Sequence, residues 1–338
     1  MALQGTGTEL DPYLVTNLAE LRTGITNANA YYKVTQNLDV RGTQYEAEWL
    51  ECTLACLQLD FNNKELKNVT TAQNNHLFRF NCTTVTLINF KLVNCVNSKA
   101  LFAHATTNYD TLTNLTLFNC SFSVKWYANN QQSNATTEYG IFGTRFINVD
   151  ACVFNLELHG LTKYVMRSDL RVNRSHFILN GVIDLTPTYY RCSSGSMAFS
   201  YTFFSLLNAG TKIYVTGTLS VNRVGSTPID FLFFQNSYNE NYDNYGNRAY
   251  FAQCYVYMTL DITVPFDTIQ NFDMWRYQTT TQTTVPPASW MAIGDMLVHG
   301  GELRSLPSEY ARVYLVTKEQ AKDSNFLATF GFDVSEVV

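Results

Sequence analysis

Apolar and polar positions take turns through most of the chain. TVTLINFKL, TLTNLTLF and RFINVDACVF are short alternating runs, each broken by Asn, Gly or Thr. Period two predicts strands with one buried face, and no helical stripe runs through this region. The runs also recur as a unit. TLINFKLVNC, residues 86–95, and TLTNLTLFNC, residues 111–120, agree at six of ten positions. That alignment pairs Asn89 with Asn114, Asn94 with Asn119 and Cys95 with Cys120.

The ending of the unit, an apolar pair or apolar-x followed by Asn, reads LKN, LVN, LFN, VFN and ILN. It falls at Asn68, Asn94, Asn119, Asn155 and Asn180, in steps of 26, 25, 36 and 25 residues. The long step contains KWYANNQQSNATTEYG, residues 125–140, which reads as a polar insertion. Repeats of this size mean stacked architecture. Three short strands per unit describe one coil of a parallel solenoid, each coil lying about 4.8 Å from the last. Asn tolerates the left-handed conformation that a sharp corner needs, and stacked amides can bond along the axis. Asn68, Asn94, Asn119, Asn155 and Asn180 are therefore expected to form one structural ladder.

An open solenoid end exposes unpaired strand edges and needs a cover. Asn17 followed by Glu20 fits a capping box, and Leu18, Leu21 and Ile25 share a helical face. Residues 16–27 are expected to form a short helix over the first coil, with YYKVTQNLDV as the strand that follows. GTGTELDPYLVTNLAELRTGI followed by YYKVTQNLDV resembles the opening of right-handed parallel β-helix proteins of the pectate-lyase-like type. The resemblance covers residues 5–40 by motif and extends to about 262 by repeat pattern. It implies an all-β, right-handed parallel β-helix. That fold hosts polysaccharide lyases, glycosidases and phage tailspikes, so it does not decide the activity.

Three segments are expected: a lead and cap helix at 1–40, the β-helix at 41–264, and a small mixed module for assembly or attachment at 265–338. Insertions fall near 125–140 and 238–250. The last boundary rests on the Thr/Gln run and Pro pair in VPFDTIQNFDMWRYQTTTQTTVPPASW. Beyond it, Thr317 with Gln320 is a second capping-box candidate, and Gly331 follows a helical stretch at 318–330.

Composition narrows the function. The chain has 338 residues, 46% hydrophobic and 15% charged, with a net charge of −5. No basic stripe appears, so duplex nucleic acid is not an expected partner. No apolar run approaches the ~18 residues of a membrane span, and MALQGTGTELDPY lacks the features of a signal peptide. Eight cysteines sit mostly in strand-like runs without zinc spacing, as small buried hydrophobes would. Free thiols in that number suit a reducing cytoplasm. Without a secreted context, the six N-x-S/T sequons read as accidents of an Asn- and Thr-rich chain.

Candidate carboxylates are Asp150, Glu157, Asp169, Asp184, Asp230 and Asp261. Asp150 aligns with the corner asparagines Asn89 and Asn114, and Asp169 reads as a surface ion pair with Arg171. The paired acids of glycosidases are not evident, and His76, His104, His159, His176 and His299 lack ligand spacing. No catalytic residue, metal or cofactor is expected. Two aromatic insertions are better candidates for recognition: Trp126 and Tyr127, and Tyr238, Tyr242, Tyr245 and Tyr250 in YNENYDNYGNRAY.

The expected protein is a non-enzymatic structural protein of a bacteriophage virion: a spike, fibre or decoration protein assembled in the host cytoplasm. Its expected partners are other virion proteins, further copies of itself (a trimer by analogy with tailspikes) and a host-surface glycan. Membrane insertion is not expected. A polysaccharide depolymerase and a cellular carbohydrate-binding protein are the competing readings.

Overall fold

A computed structural model describes residues 3–48, 50–71, 76–97, 101–104, 114–128, 146–161, 164–185, 188–192, 195–199, 202–207, 212–223, 229–237, 255–263, 269–278, 289–293, 297–299, 313–316 and 323–328. The fold is all-β, built from parallel sheets in solenoid-like order. The chain divides into two compact units, 1–159 and 160–338.

The first unit winds through three sheets. Sheet A holds Tyr13–Val15, Tyr31–Val34, Gln58–Asp60, Thr84–Ile88, Asn114–Phe118 and Phe146–Asp150, all parallel. Sheet B takes Leu38–Asp39, Glu65–Lys67, Lys91–Asn97 and Ser121–Ala128, then the strand that begins at Val153. Sheet C is Cys52–Leu54, Phe78–Phe80 and Phe102–His104. The alternation seen in the sequence sets the faces. Val85 and Leu87 are buried, as are Leu115 and Leu117 and then Ile147 and Val149, while the residues between them reach solvent.

Phenylalanines fill the centre of the first unit. Phe61 lies 4.2 Å from Phe90, Phe90 lies 5.6 Å from Phe122, and Phe122 stacks on Phe154 at 4.9 Å and 2°. All four are fully buried or nearly so. Burying each ring contributes about 1.5–3 kcal/mol, so this column carries much of the unit's stability.

The lead segment is tightly tied. Backbone N–H groups of Thr6, Gly7 and Thr8 all donate to the Asp11 carbonyl. Gly5, at φ +106°, could not carry a side chain, because a Cβ would lie 2.3 Å from the Pro12 carbonyl oxygen. Gln4 then bridges antiparallel to Leu14 at the edge of sheet A. The helix runs over Leu18–Thr23, shorter than 16–27, and stops where the Gly24 N–H donates to the Glu20 carbonyl. Asn17 Oδ1 accepts the Glu20 N–H at 2.9 Å, and Leu18, Leu21 and Ile25 are buried. Glu20 reaches back one residue further than a capping box requires, accepting from the Thr16 N–H (2.6 Å) and hydroxyl (2.8 Å).

The second unit has longer strands in two parallel sheets. Sheet D holds Tyr164–Asn173, Thr202–Leu207, Ile229–Ser237 and Ile269–Gln278. Sheet E holds Ser175–Leu185, Lys212–Arg223, Tyr255–Thr263, Ser289–Ile293 and Val313–Val316. An antiparallel hairpin, Thr188–Cys192 with Gly195–Phe199, interrupts the winding.

Two expectations about the C-terminus change here. The parallel ladder does not stop near 264, because Ile269–Gln278 pairs with Ile229–Ser237 and Ser289–Ile293 pairs with Tyr255–Thr263. The contact boundary lies at 159/160 instead of 264/265. Apolar alternation in TIQNFDMW and SWMAI continues the strand pattern past the Thr/Gln run, and pairing follows that alternation. The last helix is Ser324–Ala328, capped by Asp323, whose Oδ1 accepts the Asn325 and Phe326 N–H groups. Thr317, Gln320 and Gly331 lie outside the described residues.

Candidate functional site

Left-handed backbone positions mark where the chain turns. Among the described residues, eight non-glycine residues have positive φ, and six of them are asparagines: Asn62, Asn63, Asn68, Asn89, Asn94 and Asn119. Asn suits these corners because its short amide tolerates αL geometry and can bond locally. Stacking then joins the amides along the axis in two rows. At the corner between sheets A and B, Asn119 Nδ2 donates to Asn89 Oδ1 at 2.7 Å, and Asn89 Nδ2 donates to Asp60 Oδ1 at 2.9 Å. At a bend inside sheet B, Asn94 donates to Asn68 at 3.4 Å and Asn68 to Asp39 at 2.7 Å.

Both rows end on an aspartate built the same way. Asp60 Oδ1 also accepts the Asn62 N–H at 2.6 Å, and Asp39 Oδ1 accepts the Arg41 N–H at 3.0 Å. The Asn68 amide, the Arg41 N–H and Lys67 nearby at 3.7 Å hold the Asp39 carboxyl below the ordinary carboxylate range. A carboxylate terminates each row because it only accepts, so the amides all donate in one direction.

The five asparagines expected in one ladder are therefore distributed. Asn68 and Asn94 share the bend row, and Asn119 belongs to the corner row with Asn89. Asn155 lies exposed in a strand of sheet B, and Asn180 accepts the Thr218 N–H at 3.1 Å in sheet E. The 25-residue alignment pairs the wrong positions: strand register sets Asn114 beside Thr84 and Phe118 beside Ile88, a step of 30. Asp150 is not a corner residue either. It sits beside Phe118, and Ala151 takes the left-handed position at φ 53°.

Rows of like side chains continue inside and outside the coil. Inside, the Cys120 and Cys152 thiols lie at matching corner positions, with the Cys120 N–H 3.3 Å from Cys152 Sγ. The neighbouring sulfur and burial push the Cys120 thiol far up. Burial likewise raises Cys95 to about 12. Cys52, Cys56, Cys82, Cys95, Cys120 and Cys152 form no disulfide, and all but Cys82 are buried.

Outside sheet B, Lys125 pairs with Glu157 at 2.9 Å, Glu157 with His159 Nε2 at 2.8 Å, and His159 stacks on Tyr127 at 4.8 Å and 14°. Lys125 and then His159 hold Glu157 below its ordinary value. Outside sheet E, His176 stacks on Tyr214 at 4.4 Å, and its Nε2 lies 2.7 Å from the Thr216 hydroxyl. Burial lowers the His176 pKa, favouring the neutral ring.

Trp126 and Tyr127 do not lie on a loop; both belong to the strand Ser121–Ala128. Alternation turns Trp126 inward (6% exposed) and leaves Tyr127 outside (46%). The Tyr127 ring face lies against His159, which suits a strand-to-strand stack better than an open platform. Tyr238, Tyr242, Tyr245 and Tyr250 fall outside the described residues. Sequence reasoning missed Lys125, Tyr214 and Phe118, the last 42% exposed beside Ile88 on sheet A. Period-two parity carried the signal, since Phe118 shares parity with Asn114 and Thr116.

Two aspartates face outward in one column of sheet A, Asp60 and Asp150, with Ile88 and Phe118 between them. Three strand spacings put them about 14 Å apart, beyond the ~5–10 Å that glycosidase carboxylates need. The side chains of Asp169, Asp184 and Asp230 lie outside the described ones. Asp261 is half-buried beside Thr218. Among the described residues, no group of three or more His, Cys, Asp or Glu could hold a metal ion, and no helix is long and apolar enough to cross a membrane.

No family model matches the sequence, and no curated protein matches it. Among solved structures the chain is similar to a "putative immunoglobulin A1 protease" from Bacteroides ovatus, with a TM-score of 0.40 and 9% identity. The match covers 97% of this chain and 90% of that one.

Proposed function

We propose that this protein is a non-enzymatic structural component of a bacteriophage virion, a spike, fibre or decoration protein that serves as a stiff scaffold for attachment or host-surface recognition. One observation carries the reading: side chains join coil to coil at every level of the first unit. Phenylalanines stack in the core, amides bond in rows at the corners, and ion pairs and rings bridge the outer face. Each contact ties a coil only to its neighbours, which makes a one-dimensional spacer that resists bending and local opening. A core of free, buried thiols suits assembly in a reducing host cytoplasm. Other virion proteins, further copies of the chain and a host glycan are the proposed partners.

Antibody labelling of phage particles by electron microscopy tests the assignment. Gold on an external appendage is the expected result. Intact particles without label, alongside labelled cell debris, would overturn it.

A further inference from the structure

Cysteines of neighbouring coils meet at two places in the first unit. Strand pairing sets Cys52 beside Phe78 and Cys95 beside Val124, so neither meets a cysteine there. Cys120 and Cys152 do meet, each two residues past the paired Phe118 and Asp150. Cys56 and Cys82 repeat that arrangement at the end of sheet C. Leu54 pairs with Phe80, and the Asn81 N–H donates to the Leu54 carbonyl at 2.7 Å, which carries the register past both strand ends. Cys56 and Cys82 follow at the same step. The Cys56 backbone hydrogen-bonds the Cys82 sulfur, so that sulfur leans across the gap toward the coil of Cys56.

We propose that Cys56 and Cys82 join in a disulfide when the protein meets a two-electron oxidant such as hydrogen peroxide, stapling two neighbouring coils. The spacing suits the bond. Residues matched on adjacent strands lie about 4.8 Å apart, inside the ~4.4–6.8 Å that a disulfide spans between Cα atoms. Access selects this pair over the other. Cys82 is partly exposed, whereas Cys120 and Cys152 are only 2% and 1% exposed. In the first step the Cys82 thiolate attacks one peroxide oxygen and the O–O bond breaks, leaving a sulfenic acid at Cys82 and hydroxide, which is protonated to water. Cys56 Sγ then displaces the sulfenic oxygen, which departs with the Cys56 proton as a second water. Two thiols lose two electrons and the peroxide gains them. Burial pushes both thiols up, so thiolate is scarce at neutral pH and the reaction quickens as pH rises. That pace suits a permanent staple better than a rapid sensor. Its position suits one too, because Cys52–Leu54 is the outer strand of sheet C. A solenoid whose coils hold only their neighbours opens first at such an edge. The inference does not depend on the virion assignment.

Peroxide treatment of the reduced, folded full chain at mildly alkaline pH, followed by alkylation after unfolding and peptide mass mapping, tests it. The expected product is a peptide pair linking Cys56 to Cys82, released by dithiothreitol, with Cys120 and Cys152 recovered as alkylated thiols. The oxidised chain should also unfold about 5 °C higher than the reduced one, since the bond restricts the unfolded chain. The measurement uses the unaltered protein, so no variant has to fold. Cys82 that remains a thiol, joins a different cysteine or a second copy, or runs on to sulfinic acid overturns the pairing. A Cys56–Cys82 link that leaves the unfolding temperature unchanged overturns the staple.

Discussion

The two units bend their strands by different chemistry. In the first, the chain turns on asparagines at φ 49–59°, and the amides run on from coil to coil. In the second, positive φ inside sheet E falls on Gly181 (φ 114°) and Gly217 (φ 123°), in a region that L side chains rarely adopt, while Arg174 (φ 44°) takes the left-handed position between Tyr164–Asn173 and Ser175–Leu185. An asparagine bend can bond along the axis; a glycine bend allows closer approach but adds no bond. A Cβ on Gly217 would lie 2.0 Å from the Leu179 carbonyl oxygen of the next strand. The first unit thus gains polar ties at its asparagine corners, while the second gains close strand contact and longer strands of up to 12 residues.

The largest effect should come from the glycine side of this comparison. Gly217→Ala combines a disfavoured φ with a backbone clash, and should destabilise the second unit by about 3 kcal/mol or more. Urea unfolding followed by hydrogen exchange would show strands 175–185 and 212–223 losing protection first. A variant as stable as the parent would mean that close approach does not hold this sheet together.

The asparagine side should be gentler and adjustable. Asn119→Ala removes an inter-coil bond and leaves a poor αL residue, which should cost about 1–2 kcal/mol. The natural sequence already contains the complementary case, because Ala151 occupies the same corner one coil later. Ala151→Asn should extend the row and raise stability by about 0.5–1 kcal/mol. Thermal unfolding of both variants decides. If both variants leave stability unchanged, neither the left-handed preference of Asn at the corner nor the row of amides holds the coils together.

This same corner chemistry explains what the sequence could and could not disclose. Strands, inward positions and three of the five expected left-handed asparagines, Asn68, Asn94 and Asn119, were legible, because period-two alternation and Asn at turns are local signals; Asn155 and Asn180 carry the same signal but lie within strands without positive φ. Register was not. The endings at Asn94-Cys95 and Asn119-Cys120 look alike, yet Asn94 makes a bend within sheet B and Asn119 a corner leaving sheet A. Two places in one coil solve the same local problem with the same residue, so matching them by similarity slips the register by five. Pairing shows the true neighbours: Ser121 beside Lys91, and Val124 beside Cys95 after a bulge. Trp126 illustrates the converse. Its parity with Phe122 and Val124 marked it as buried, but its neighbourhood of Asn and Gln read as a loop. The outward rows at Tyr127 and His176 depended on which strands become neighbours, which only the fold decides.

Acid separates the two units by a smaller effect. His176, in the second unit, has its pKa lowered by burial from an ordinary 6.5. The unfolded chain therefore binds a proton more readily than the folded one, and stability falls as pH drops below about 6.5 toward the lowered value. Asp39 and Glu157, in the first unit, are also lowered, from ordinary values of 3.8 and 4.5. Their contribution is complete above those values and is lost only as pH falls through the lowered ones. Between pH 7 and 5 the second unit should weaken while the first holds; below about 4 the first should follow. Its loss should be slight and salt-sensitive, because Asp39 and Glu157 lie near the surface. Hydrogen exchange across that range, resolved to strands 84–88 and 212–223, would read both units in one sample. His176→Gln should remove the upper step and leave the lower one. If strands 84–88 lose protection first, or the upper step survives in His176→Gln, the half-buried imidazole is not what makes the second unit acid-sensitive.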